Sequence, residues 1–244
     1  MKYIIDINAD LGEGFPYDEA IMPFISSCSI ACGGHYGDEN TIRKSLKLAK
    51  KNGVKVGAHP SFPDTENFGR KIIEIQPEDL HKSLVNQLQT FFGICDYEGV
   101  KVNHIKLHGA LYNLAAIDKI VAGIVIQSVL DVNPETTVYL PENSVFFALA
   151  KEKVTTKPEA FIDRSYTDEG FLVSRAHPDA LLETPEKCLK QLVEMVTSKK
   201  VSTLSGKKIP IHAETFCIHG DNPNSVPILK YLHQHLKKHS IEIE

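Results

Sequence analysis

Short β-branched or apolar runs, each stopping at a small, polar, glycine-flanked cluster, constrain this chain more than any other feature. Four of the clusters carry a histidine: Gly33-Gly34-His35-Tyr36-Gly37-Asp38, Gly57-Ala58-His59-Pro60-Ser61, Lys106-Leu107-His108-Gly109 and Ile218-His219-Gly220-Asp221. A fifth, Asp6-Ile7-Asn8-Ala9-Asp10-Leu11-Gly12-Glu13, carries carboxylates instead. In a parallel sheet or barrel the C-terminal strand ends meet on one face, so residues about 200 positions apart become neighbours. The chain therefore reads as an enzyme with its chemistry on that face.

Seven runs read as strands, over residues 3–8, 27–32, 55–58, 104–107, 137–140, 160–163 and 210–218. Between them apolar residues recur near the helical period, as in Ile42, Leu46 and Ala49 or Leu80, Leu84, Leu88 and Phe91. Helix starts fall at Asp38, at Gln76-Pro77-Glu78-Asp79 and at Thr184-Pro185-Glu186, where a capping side chain or an early proline stands. Residues 223–239 read as a closing helix. Strands alternating with helices make a parallel sheet. An open doubly wound sheet has the same alternation, but the expectation is a single α/β domain over residues 1–244, a seven-stranded parallel β/α barrel. Ser205-Gly206-Lys207-Lys208 lacks the upstream glycine of a phosphate loop and reads as a surface turn.

Charge narrows the partners. Lys plus Arg number 27 and Asp plus Glu 31, a net charge of -4 with both signs interspersed. No basic stripe is offered to nucleic acid or to an anionic membrane. The N-terminus reaches Asp6 too soon for a signal peptide, and no apolar run approaches the roughly 18 residues of a membrane span, so a cytoplasmic protein is expected. The five cysteines form no CxxC pair, which argues against a disulfide framework or a zinc knuckle. Cys32, despite the Gly33-Gly34-His35 that follows it, reads as a packed thiol.

Under strict alternation Asp6, Asn8 and Asp10 share the side of the first strand that faces the barrel interior, with Glu13 just beyond. His35 and His59 close the next two strands. A carboxylate and two imidazoles from adjacent strand ends, Asp10, His35 and His59, can hold a divalent metal or run acid-base chemistry, and the sequence leaves both uses open. Lys106 and His108 alternate along the fourth strand, and an inward lysine among acids can position an anionic substrate or polarise a carbonyl. Arg70, Arg164 and Arg175 can each grip a carboxylate through paired hydrogen bonds. The catalytic candidates are Asp10, Glu13, His59, Lys106, His108, Asp163 and His219; the substrate-binding candidates are Asn8, His35, Arg70, Arg164, Arg175 and Asp221. No Walker-type phosphate loop, dinucleotide fingerprint or serine nucleophile elbow is present.

Several segments, taken in order from residue 3 to residue 223, together resemble the LamB/YcsF family. They are Asp6 through Phe15, Ile30-Ala31-Cys32-Gly33 with His35 and Gly37-Asp38, Gly57 through Ser61 with Phe68-Gly69-Arg70, Lys106 with His108-Gly109-Ala110-Leu111-Tyr112-Asn113, Asp163-Arg164 with Tyr166, Leu172-Val173 with Arg175, and His219-Gly220-Asp221. The resemblance implies a seven-stranded β/α barrel similar to that of polysaccharide deacetylases. It also implies the A subunit of an ATP-dependent 5-oxoprolinase, which works with separate B and C subunits, and with ATP and Mg, to open the lactam of 5-oxo-L-proline to L-glutamate. Phosphorylation of the lactam oxygen would make it a leaving group. Water would then attack the ring carbon with Asp10 or His59 as base, while Lys106 and an arginine neutralise the developing charge. Departures from the family pattern cluster around the mouth: a short loop between Phe15 and Met22, then Ser29, Gly34, Tyr36 and Leu107, and no glycine before Ala180. Two further readings stand beside this one. One is a stand-alone metal-dependent deacetylase or amidohydrolase with Asp10, His35 and His59 as ligands; the other is a non-catalytic subunit that presents a ligand to partner enzymes.

Overall fold

The computed structural model describes residues 2–244. Strand β1 (Tyr3–Leu11) leads through the short helix α1 (Asp18–Ile21) to β2 (Ser27–Ala31); α2 (Glu39–Asn52) returns the chain to β3 (Lys55–His59), and α3 (Pro77–Tyr97) to β4 (Val102–Lys106). Helices α4 (Gly109–Ile117) and α5 (Lys119–Val132) precede β5 (Thr137–Leu140), and α6 (Val145–Ala150) precedes β6 (Thr156–Phe161). Helix α7 (Pro185–Ser198) runs into a small antiparallel pair, β7 (Lys200–Ser202) and β8 (Lys208–Pro210), before β9 (Thr215–His219), α8 (Ser225–His235) and β10 (Ile241–Ile243). The parallel order is β1-β2-β3-β4-β5-β6-β9, and β9 pairs back onto β1, so the seven-stranded barrel is closed as expected.

The two faces of β1 show why the sequence takes this form. Ile7, Ala9 and Leu11 join the apolar core under the helices, whereas Asp6, Asn8 and Asp10 are buried inside the barrel, where they bond to side chains of β2, β4, β6 and β9. The helical layer supplies the apolar burial. In α2, Ile42, Leu46 and Ala49 turn inward, Asp38 caps the start by accepting from the Thr41 amide at 2.8 Å, and Gly53 ends the helix in the left-handed region at φ 69°. A cap of this kind contributes about 1 kcal/mol. No helix among the described residues is long and apolar enough to cross a membrane.

Three expectations shift. Strand β6 begins four residues earlier than expected, at Thr156, and ends at Phe161, which leaves Asp163 in the following loop. Pro158 and the alternating Lys157 and Glu159 disguise it; the two charged residues turn into the barrel, and Pro158 takes a place where its missing N–H is tolerated. The expected run 210–218 is split: Lys208–Pro210 pairs antiparallel with β7 across the turn at Ser205 and Gly206, and only Thr215–His219 enters the barrel. The closing helix is α-helical to His235 and runs on as a 3-10 turn over Leu236–His239, its expected end, and β10, which was not expected, extends the sheet beside Tyr3, Ile4 and Ile5 of β1.

Towards the N-terminal end of the barrel interior, His104 stacks on Tyr139 with centroids 3.9 Å apart and meets Ser29 Oγ at 3.1 Å. That packing requires Gly57, because a Cβ there would stand 2.2 Å from His104 Nε2. Gly123, on the exposed face of α5, has open space at the same position. Gly57→Ala is expected to cost about 1–3 kcal/mol through overpacking, at about 2–4 °C of Tm per kcal/mol for a chain of this size. Gly123→Ala is expected to hold or raise Tm; thermal unfolding of the two variants checks the contrast.

Candidate active site

Glu13 lies just past β1, placed there by Gly12, whose φ of 73° reverses the chain. Its Oε1 is 2.9 Å from His35 Nε2, 3.1 Å from His108 Nδ1 and 3.6 Å from His59 Nε2. Backbone carbonyls fix two of these rings. His59 Nδ1 is 2.8 Å from the Lys106 carbonyl and His108 Nε2 is 2.9 Å from the Phe68 carbonyl, and since a carbonyl only accepts, each of those nitrogens carries the proton. The other nitrogens, His59 Nε2 and His108 Nδ1, face each other 3.0 Å apart. Asp10 Oδ2 approaches His59 Nε2 at 3.5 Å. His35 stacks on His108 at 3.6 Å between centroids and 2° between planes.

Lone pairs therefore converge on one small volume. Around a tetrahedral ion with bonds of about 2.0–2.1 Å, ligand atoms stand roughly 3.3–3.4 Å apart. The separations of 3.0, 3.1 and 3.6 Å among Glu13, His59 and His108 bracket that value, and each histidine has the carbonyl partner that orients a metal-binding ring. The donor set fits a divalent cation. Of the expected trio Asp10, His35 and His59, only His59 belongs to this tightest group; His35 supports Glu13, and Asp10 borders it. Burial raises Glu13, but the neighbouring His108, His35 and His59 outweigh it and hold the carboxyl well below its ordinary value. Burial pushes His59 down to about 3, against the pull of Asp10.

Lys106, from β4, is the interior cation. Its ammonium lies 2.9 Å from Asp10 Oδ1, 2.9 Å from Glu159 Oε1, 3.1 Å from Asn8 Oδ1 and 2.9 Å from Cys217 Sγ. Burial disfavours this charge, and Asp10, Cys217 and Glu159 outweigh the penalty, so the ammonium stays protonated far above its ordinary range. Asp10 is held below its ordinary value: burial pushes it up, and His59, Lys106 and His219 more than compensate. Glu159 moves the other way, raised by burial in spite of Lys106.

On the β9 side Asp163 is fully buried and accepts from His219 Nδ1 at 2.9 Å, from the His219 amide at 3.2 Å and from Asn222 Nδ2 at 3.1 Å. That bond sets the His219 tautomer and leaves its Nε2 as the ring's acceptor nitrogen. Arg70 and Arg175 both bind Asp221 Oδ2, the latter at 3.0 Å. Arg164 differs: it is buried, donates from Nη2 to the Val173 carbonyl at 2.6 Å, has an Nε without a partner, and forms no salt bridge among the described residues. Burial, then the nearby Arg175, pushes its guanidinium down to about 10.

A cavity of about 490 Å³ opens beside these groups, lined by Asp10, Lys106, His108, Arg164, Arg175 and His219 among others. A second, more apolar cavity of about 660 Å³ shares Tyr112, Asn113, Phe161 and Leu172 with it. The expected site residues thus gather at the C-terminal end of the barrel, except Asn8, which lies deeper inside it, in register with Ser27 at the start of β2. Cys32 is the packed thiol anticipated, accepting from the His59 amide at 3.1 Å and raised by burial. Three contributors were missed: Glu159, Cys217 and the Phe68 carbonyl. Period-two alternation through Lys157 and Glu159 was the available signal for the first; a backbone carbonyl leaves none.

The LamB/YcsF family model matches residues 5–244. The chain is 40% identical over 240 residues to a Haemophilus influenzae (strain PittGG) protein named as the A subunit of 5-oxoprolinase, covering 98% of each chain. It is 39% identical over 246 residues to a Staphylococcus saprophyticus protein of the same name, covering 98% of this chain and 97% of that one. Its fold superposes on the crystal structure of the lactam utilization protein from Thermus thermophilus with a TM-score of 0.92 and 32% identity, over 100% of this chain and 99% of that one. With the family model running from β1 to the C-terminus and relatives aligned along almost their full length, the chain belongs to the LamB/YcsF family.

Proposed function

We propose that this chain is the A subunit of an ATP-dependent 5-oxoprolinase that acts with B and C subunits to hydrolyse the lactam of 5-oxo-L-proline to L-glutamate. Relatives bearing that subunit name across nearly their whole length support the assignment, and a lactam utilization protein of the same fold supports the substrate class. The observation that carries the reading is Arg164: a buried guanidinium with no ion-pair partner lines the same cavity as His219 and the carboxylate-histidine cluster. A cyclic amide bearing a carboxylate uses both kinds of group. The free thiols, all buried, suit the reducing cytoplasm, where this reading puts the complex.

In this mechanism Arg164 takes the substrate carboxylate. His219, held by Asp163, accepts a proton from water as the water oxygen bonds to the ring carbonyl carbon. The carbon-nitrogen bond then breaks and the proton passes to the ring nitrogen, giving the open amino acid. Lys106 keeps Asp10 ionised and fixed beside His59, so Asp10 organises the site. Glu13, His59 and His108 would hold a divalent cation, which when bound supplies Lewis-acid polarisation of a carbonyl. The chain carries no Walker-type phosphate loop, and Arg70 and Arg175 are committed to Asp221. The ATP-dependent step is accordingly assigned to the B and C subunits.

Glutamate release from 5-oxo-L-proline is expected only when this chain, both partner subunits and ATP are mixed. No glutamate from a folded, assembled complex would overturn the reading. His219→Ala is expected to lower kcat by roughly a hundred-fold to ten-thousand-fold, the usual contribution of a positioned base. For the cluster, the purified chain dialysed against zinc or manganese should retain about one equivalent, while His108→Ala and Glu13→Gln should retain little. Elemental analysis reads this directly, and equal retention by wild type and both variants would remove the proposed metal site.

A further inference from the structure

Two buried polar atoms on the wall between the cavities have no partner in the protein. The Tyr112 hydroxyl, from α4, belongs to a residue 5% exposed, and Glu159 Oε2, from β6, to one 3% exposed. The rest of Glu159 is committed, since its Oε1 takes hydrogen bonds from the Lys106 ammonium and from Asn8 Nδ2, each at 2.9 Å. Tyr112 lines both cavities and Glu159 the larger. The Tyr112 hydroxyl lies beside the Glu159 carboxylate, close enough to feel both its charge and a weak hydrogen bond, yet the two form no bond of full geometry, so each keeps its capacity for a better partner. Buried polar groups are nearly always paired, so two adjacent orphans, one a donor and one an acceptor, mark a place where a ligand completes them.

We infer that Tyr112 and Glu159 form the subsite that reads the edge of a cyclic amide, Tyr112 donating to its carbonyl oxygen and Glu159 Oε2 accepting from its N–H. The inference rests on the lactam reading above and specifies how the lactam is recognised. A five-membered lactam is locked cis, so its N–H and C=O leave the ring along one edge, a donor beside an acceptor. An open-chain secondary amide is trans and sends them in opposite directions. The paired orphans match the first and not the second. Burial, then the neighbouring Glu159, raises the Tyr112 phenol well above its ordinary value, which keeps it a donor at neutral pH. The Phe161 ring, edge-on to Tyr112 at 5.6 Å between centroids, and Leu172 supply apolar walls for the ring methylenes. With Arg164 on the carboxylate, the substrate is held at two points.

The test uses the complex assembled with its partner subunits and ATP. Tyr112→Phe removes a hydroxyl that makes no well-formed hydrogen bond in the protein, so Tm should change little; KM for 5-oxo-L-proline should rise tenfold or more. The second arm compares 5-oxo-L-proline with its lactone isostere, in which a ring oxygen replaces N–H, as competing ligands. Wild type should prefer the lactam tenfold or more and Glu159→Gln should lose that preference. An unchanged KM in Tyr112→Phe, or a preference that survives in a folded Glu159→Gln, overturns the subsite; if Glu159→Gln does not fold, Tyr112→Phe decides alone. Failure of the wild-type complex to make glutamate would instead remove the functional reading. Calorimetric titration of this chain with 2-pyrrolidinone, a lactam without a carboxylate, then judges the subsite separately: tenfold weaker binding by Tyr112→Phe keeps it, and equal binding rejects it.

Discussion

A single buried ammonium holds the centre of this barrel together. Lys106 is 1% exposed, and an ion taken that far from water persists only if its charge and its hydrogens are matched. Asp10 from β1, Glu159 from β6, Asn8 from β1 and Cys217 from β9 supply the matches, so one side chain on β4 ties three other strands together across the interior. The same residue's carbonyl accepts the His59 proton and so turns His59 Nε2 towards Glu13. Both the floor of the cavity and the orientation of the cluster depend on where β4 ends.

Much of this was legible because the periodicities are simple. The alternation of Asp6, Asn8 and Asp10 with Ile7, Ala9 and Leu11 states which face of β1 is interior, and the helix caps at Asp38 and Thr184 fall where a side-chain oxygen precedes the first turn. The histidines at strand ends converge because closure of a parallel barrel leaves them nowhere else to go. Failure came where local composition contradicts long-range pairing. Lys157, Pro158 and Glu159 look like a loop in isolation, and only the neighbours on β5 and β9 make them a strand; missing that strand's start hid Glu159. The grouping of Glu13 with His59 and His108 was hidden for a different reason. It depends on where the reversal at Gly12 sends Glu13 and on a loop carbonyl at Phe68; the glycine marks the turn without giving its direction, and a carbonyl is not written in residue type at all.

The loop over residues 61–75 illustrates how an irregular segment becomes part of a rigid site. Phe68, at φ 56°, occupies a left-handed conformation that side chains rarely adopt, and Gly69 follows at 62°. The pair is held from both sides: the Gly69 amide donates to the Asp64 carbonyl at 2.8 Å, the Ala110 amide donates to the Gly69 carbonyl at 2.9 Å, and His108 donates to the Phe68 carbonyl. Gly109 is required at that contact, since a Cβ there would stand 2.6 Å from the Gly69 carbonyl oxygen. Backbone strain at Phe68 is thereby exchanged for a fixed His108 tautomer, and Arg70 leaves the same loop to reach Asp221 at the rim.

Charge balance explains why the two ends of the site suit opposite ligands. Along the connected set Glu159, Lys106, Asp10, His59 and Glu13, three carboxyl groups face one ammonium, and the histidine between them, His59, is kept neutral by burial. Low-dielectric surroundings make that excess of negative charge costly, and a divalent cation among Glu13, His59 and His108 relieves it at the point where the lone pairs converge. Arg164 poses the reverse problem, a buried positive charge without an ion pair, since the neighbouring Asp163 is engaged by His219 and Asn222, and a substrate carboxylate relieves that. Between them Tyr112 and Glu159 leave one donor and one acceptor open, which carries no net charge requirement and selects by shape instead. Cation, cis-amide edge and carboxylate are then three complements to three different deficits, and a molecule that supplies only one of them leaves the other two buried without their hydrogen bonds or counter-charge.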